Sequence, residues 1–75
     1  MKFNDLGGLL KRARKAQGLT QADLSDLSGA SPSVIYKLES GREDIALGSL
    51  LSVGDALGVQ IQVKSPLGEE ARLNG

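Results

Sequence analysis

The sequence predicts an all-α domain of four to five short helices, closed at its C-terminal end by one short β-strand. Three observations carry this. Apolar residues recur at helical spacing in several short runs. The runs are separated by capping residues and breakers, namely Thr20, Gly29, Ser31-Pro32, Gly41 and Gly58. Then Val59-Gln60-Ile61-Gln62-Val63-Lys64 alternates apolar and polar until Pro66 stops it, a strand pattern.

The first helix is expected over Asp5 to Gln17. Leu6, Leu10 and Ala13 fall at i, i+4 and i+7 and make one apolar stripe, leaving Lys11, Arg12 and Lys15 on other faces. Gly7 and Gly8 each weaken this helix by about 1 kcal/mol relative to alanine. Leu9 lies beside the stripe, either partly exposed or against a partner. Gly18 ends the helix, and Leu19 is expected to enter the core ahead of Thr20.

Thr20 is an N-cap for a second helix running to Leu27, with Asp23 favourably placed in its first turn. Leu24 and Leu27 are expected to face inward. Gly29 supplies the turn, because glycine alone takes a positive φ without steric cost. Ser31 caps the third helix and Pro32 takes its first position, where a missing N–H is harmless. Ile35 and Leu38 then point inward with Ala30 ahead of them, and Pro32, Ser33, Tyr36 and Lys37 point outward. Two capped helices across a glycine turn are the shape of a helix-turn-helix, whose second helix can enter the major groove of DNA.

Residues 42–45 form a charged connector. Leu47, Leu50, Leu51, Val53, Ala56 and Leu57 give a fourth helix, weakly started at Ala46 and closed by Gly58. Its apolar surface is too wide for three small neighbours, so one side is read as core and another as a dimer contact. Val59, Ile61 and Val63 line one face of the strand. A lone strand leaves its ladder groups unpaired. Its economical partner is the same segment of a second copy, antiparallel about a two-fold axis; residues 1–3 and an unpaired end are the alternatives. The chain thus divides into a domain over 1–64 and a flexible tail over 65–75.

A 75-residue chain makes one small domain, for which association with a second copy is a common remedy. It has no cysteine and no histidine, which removes disulfides, Cys/His metal sites and Ser–His or Cys–His nucleophiles. Asp23, Asp26, Glu43 and Asp44 lack a partner constellation, and no glycine loop cradles a phosphate. No enzyme activity, metal or cofactor is therefore expected. The sequence has no membrane-length apolar stretch and no signal-like N-terminus, so the cytoplasm is the expected location. Net charge is zero, yet residues 1–18 hold five basic groups against one acidic, and residues 43–75 two basic against five acidic. Binding to a polyanion would then depend on two copies, since one offers few phosphate contacts.

Leu19-Thr20-Gln21, the Ser28-Gly29-Ala30-Ser31 turn, Ile35, Leu38-Glu39-Ser40-Gly41 and Ala56-Leu57-Gly58-Val59 together resemble the lambda-repressor-like (Xre/Cro type) helix-turn-helix family. The resemblance implies a DNA-binding regulator, acting as a repressor, that binds a pseudo-palindromic operator in double-stranded DNA as a homodimer. Gln21, next to Thr20, is similar to the glutamine that clamps a phosphate with its side chain and backbone N–H. Ser31, Pro32, Ser33 and Lys37 fall where the family meets base edges. Tyr36 either reaches a phosphate through its hydroxyl or is a surface aromatic. Ser40, Gly41 and Arg42 resemble the phosphate-contacting loop, whereas Arg14 and Glu39 match a structural ion pair. Glu43 and Asp44 depart from the pattern and reduce the DNA affinity it implies. The terminal strand further resembles the HipB-like antitoxin branch. That implies an alternative: an antitoxin that also neutralises a HipA-like kinase toxin and autoregulates its operon.

Overall fold

The computed structural model describes residues 2–74. Helix α1 covers Phe3–Ala16, starting earlier than its apolar stripe requires because the Lys2 N–H donates to the Asp5 carboxylate at 3.1 Å. Helix α2 (Gln21–Ser28) opens on a reciprocal cap: the Asp23 N–H donates to Thr20 Oγ1 at 3.0 Å, and the Thr20 N–H to Asp23 Oδ2 at 2.9 Å. Gly29 ends it at φ +77°. In α3 (Pro32–Glu39), Ser31 Oγ accepts from the Val34 N–H at 3.2 Å. Helix α4 (Leu47–Leu57) has no side-chain cap at Ala46, as its sequence predicts.

Leu10, Leu24, Ile35 and Val53 are fully buried, one from each helix, and Ala30, Leu38 and Leu57 complete the core. Helix α1 packs on α3 through Gly7, where an added Cβ would strike the Leu38 carbonyl and lie 3.0 Å from that of Glu39. Gln17 Nε2 donates to the Leu57 carbonyl at 2.8 Å and ties the end of α1 to the end of α4.

One inward assignment is wrong. Leu27 is 62% exposed. At 100° per residue, it lies about 60° to one side of Leu24, whereas Gln21, Ser25 and Ser28 lie on the other. That other side faces the protein: Ser25 Oγ donates to the Ala30 carbonyl at 2.6 Å, and Ser28 Oγ accepts from the Ala30 N–H at 3.1 Å. Two serines that bond the turn take the place expected for a leucine.

The C-terminal segment also differs from expectation. Strand β1 (Gln62–Lys64) pairs antiparallel with β2 (Glu70–Arg72), setting Gln62 opposite Arg72, Val63 opposite Ala71 and Lys64 opposite Glu70. The strand's partner therefore lies in the same chain, and residues 65–74 are a turn and a strand rather than a flexible tail; Gly75 lies outside the described residues. Residues 1–3 are not the partner either, since Phe3 opens α1, and Met1 lies outside the described residues. The Ser65 carbonyl accepts from the Gly68 N–H at 3.1 Å, and the Ser65 N–H donates to the Glu69 carbonyl at 2.8 Å. Pro66 sits at the position where a fixed φ suits a type I turn, and Gly68 follows at φ +82°. Such a three-residue loop is a standard hairpin connection.

Both strands are exposed throughout, and a hairpin alone is marginal in water. Asn74 fastens this one. Its Oδ1 accepts from the Ile61 N–H at 2.7 Å, and its Nδ2 donates to the Val59 carbonyl at 2.9 Å. The neighbouring Gly54 leaves room for that amide, which a Cβ there would approach to 2.9 Å.

Candidate nucleic-acid interface

The surface is built around one buried charge pair. Arg14 Nε donates to Glu39 Oε2 at 2.7 Å and Nη2 to Oε1 at 2.9 Å, a bidentate geometry, while Nη1 donates to the Leu19 carbonyl at 2.8 Å. The two side chains are only 8% and 5% exposed. Gln21 Nε2 adds a bond of 3.2 Å to Glu39 Oε1. Four points are joined: the last turn of α1, the connector before α2, the first residue of α2 and the last residue of α3. The expected Arg14–Glu39 pair is present. Gln21 is partly engaged in it, so its amide spends one donor inside the protein.

The rest of Gln21 faces outward from the start of α2. Thr20 and Asp23 satisfy each other there, and the N–H groups of Gln21 and Ala22 make no hydrogen bond among the described residues. Free N–H groups at the positive end of a helix suit a phosphate.

Helix α3, whose end is tied to the start of α2 by the Gln21–Glu39 bond, turns its polar side outward. Ser31, Pro32, Ser33 and Tyr36 are exposed and Lys37 is half-buried, while Ile35 and Leu38 anchor the helix from behind. The expected base-reading residues therefore share one outward surface. Ser31 uses a lone pair as the cap and keeps its hydroxyl proton.

The loop after α3 is less available. The N–H groups of Ser40, Gly41 and Arg42 donate to the carbonyls of Tyr36, Leu38 and Lys37 at 3.0, 3.1 and 3.0 Å, and Ser40 Oγ donates to the Tyr36 carbonyl at 2.8 Å. That leaves the Arg42 guanidinium, which makes two bonds to Asp44, Nε to Oδ1 at 3.0 Å and Nη2 to Oδ2 at 2.9 Å. These bonds, joined by the charges of Arg42 and Lys37, hold the Asp44 carboxyl below its ordinary 3.8. Sequence reasoning flagged Asp44 only as an acidic departure; its spacing of two residues from Arg42 was the available signal. Asn74 and Gln17, which hold the frame, carried none.

Residues 10–64 match the helix-turn-helix family model, and the chain belongs to that family. It is 34% identical over 62 residues to an uncharacterized HTH-type transcriptional regulator (y4mF) of Sinorhizobium fredii, covering 83% of this chain and 82% of the relative. The restriction-modification controller protein C.AhdI from Aeromonas hydrophila superposes with a TM-score of 0.68 at 32% identity, over 76% of this chain and 86% of that one. A chain of the HipA–HipB–O2–O3 complex superposes with a TM-score of 0.77 over 88% of this chain and 93% of that one; at 18% identity, this concerns the fold alone. Family and fold together define a DNA-binding protein of the helix-turn-helix transcription-regulator class. No helix among the described residues is long and apolar enough to cross a membrane.

Proposed function

We propose that this protein is a cytoplasmic repressor that binds a pseudo-palindromic operator as a homodimer, with α3 of each copy in successive major grooves about 34 Å apart. The observation that carries the reading is the pairing of two outward features. The polar side of α3 is exposed. The start of α2, tied to the end of α3 by the Gln21–Glu39 bond, has N–H groups at Gln21 and Ala22 with no hydrogen bond among the described residues. In this arrangement Lys37 donates to guanine O6 or N7, the hydroxyls of Ser31 and Ser33 meet base edges, and Pro32 offers apolar contact to a thymine methyl. Gln21 and its neighbouring N–H groups grip a phosphate and set the register.

Gel-shift titration against a selected operator tests this. Lys37→Ala is expected to relax the preference at one base pair by about tenfold, whereas Gln21→Ala weakens binding to every sequence alike. Pure protein that retards no duplex at low salt would overturn the reading.

A second copy has a surface to cover. On the hairpin and just after it, Val63, Leu67 and Leu73 are 54%, 83% and 38% exposed, and among the described residues β1 pairs along one edge, with β2. Val63→Lys is expected to yield monomers in sedimentation velocity and to weaken operator binding. An unchanged dimer would move the interface to α4.

The exposed hairpin and the acidic C-terminal third support a second reading, an antitoxin that also neutralises a HipA-like kinase and autoregulates its operon. The fold likeness to a chain of the HipA–HipB–O2–O3 complex is compatible with it. Co-expression with the product of the adjacent reading frame is the test, and a chain that purifies alone counts against it.

A further inference from the structure

Arg42 is the one cationic residue in the sequence of the loop that follows α3, residues 40–46, and its guanidinium is paired with Asp44. Its guanidinium fork meets a carboxylate two residues away in the bidentate geometry that a phosphate would use. Both side chains are more than half exposed, at 56% and 54%, so the pair can open without disturbing the core. The N–H groups of Ser40, Gly41 and Arg42 itself are committed to carbonyls, so none of these three compensates for an occupied Arg42.

We propose that Asp44 competes internally with DNA phosphate for Arg42, lowering the protein's affinity for duplex DNA without changing which sequence it prefers. This rests on the DNA-binding reading above, extended to Arg42, an exposed cation directly after α3, as a further phosphate contact. A phosphate that reaches Arg42 must displace Asp44 and then lie near the carboxylate it displaced. Asp44 therefore removes one phosphate contact per copy from the interface, and a symmetric dimer loses two. Exposed ion pairs are weak, so the competition sets affinity by a modest factor rather than blocking binding.

The test is a double-mutant cycle on the full chain with a random-sequence duplex, scored by anisotropy across a salt series. Asp44→Asn is expected to tighten binding roughly fivefold at low salt, and to steepen the slope of log K against log salt by about one per copy. In an Arg42→Ala background the same change should give less than twofold. Glu43→Gln removes an equal charge from a residue outside any ion pair among the described residues, and it should also give less than twofold. A gain that persists without Arg42, or an equal gain from Glu43→Gln, would show plain charge repulsion and overturn the proposal.

A DNA-free arm separates this from the wider reading. Carboxyl NMR should find Asp44 titrating below its ordinary value, and returning toward it in Arg42→Ala. An Asp44 titration indifferent to Arg42 would overturn the pairing itself. Wild type that binds duplex while Asp44→Asn gains nothing would overturn the competition alone. Failure of wild type and Asp44→Asn alike to bind at low salt would overturn the DNA-binding reading and the competition with it.

Discussion

Glu39→Ala is expected to lower the free energy of unfolding by about 3 kcal/mol, the scale of an uncompensated buried charge. The truncation leaves the Arg14 guanidinium, 8% exposed, with the Leu19 carbonyl as its remaining partner among the described residues. It also frees the Gln21 amide and unpins the end of α3. Urea denaturation followed by circular dichroism measures the loss; a value under about 1 kcal/mol would mean that the pair behaves like a surface one. Arg14→Met combined with Glu39→Leu should recover most of the stability, because an apolar pair needs no desolvation of charge. If the pair also orients α3, that double variant will remain a weak DNA binder despite being folded.

The same group gives the protein an acid limit. Burial pushes the Glu39 carboxyl up, but the bonds from Arg14 and Gln21 and the charges of Arg14 and Lys11 more than reverse this. They hold it below its ordinary 4.5. A carboxyl depressed in the folded state stabilises above its unfolded value and loses that contribution as pH falls through the folded value. Stability should therefore be level above about pH 5 and fall below it. Asp23, held low by the Thr20 N–H and then by its hydroxyl, acts in the same direction. Glu39→Gln should make the decline shallower.

Gly7→Ala is the second large effect, and its sign runs against helix propensity. Alanine favours a helix interior by about 1 kcal/mol over glycine. At position 7, however, the new methyl enters the backbone of α3 and its C-terminal turn, with Leu38 and Glu39 carbonyls and the Gly41 nitrogen around it. Backbone cannot step aside as a side-chain tip can, and overpacking of this kind costs about 1–3 kcal/mol. A net loss of up to about 2 kcal/mol is expected, together with weaker DNA binding as α3 is pushed off α1. Gly8→Ala is the control: its nearest neighbour is the flexible Arg12 guanidinium at 3.1 Å, so it should be neutral or stabilising. Thermal melts of the two variants give the comparison, and a stabilised Gly7→Ala would show that the helices are not in contact there.

By itself the sequence determined the parts whose causes are local. Thr20 with Asp23, Gly29, and Ser31 with Pro32 place two helices and the turn between them through hydrogen bonds and backbone angles a few residues apart. The periodic apolar residues of α1, α3 and α4 identified most of the core. Tertiary structure decided the rest, because those outcomes depend on what comes to face each residue. Gly7 and Gly8 are equivalent in the sequence, and only the arrival of α3 makes one of them necessary. Leu27 reads as core by spacing from Leu24, until the turn bonds of Ser25 and Ser28 show that α2 is rotated the other way. Glu70-Ala71-Arg72 has no strand pattern of its own; the turn at Ser65–Glu69 and the clasp of Asn74 pair it with β1. Within the helix-turn-helix stretch the same division holds. Its caps, its turn and the pairing of Arg42 with Asp44 are written locally, but Gln21 is tied to Glu39 only once the folded chain brings the donor to its acceptor.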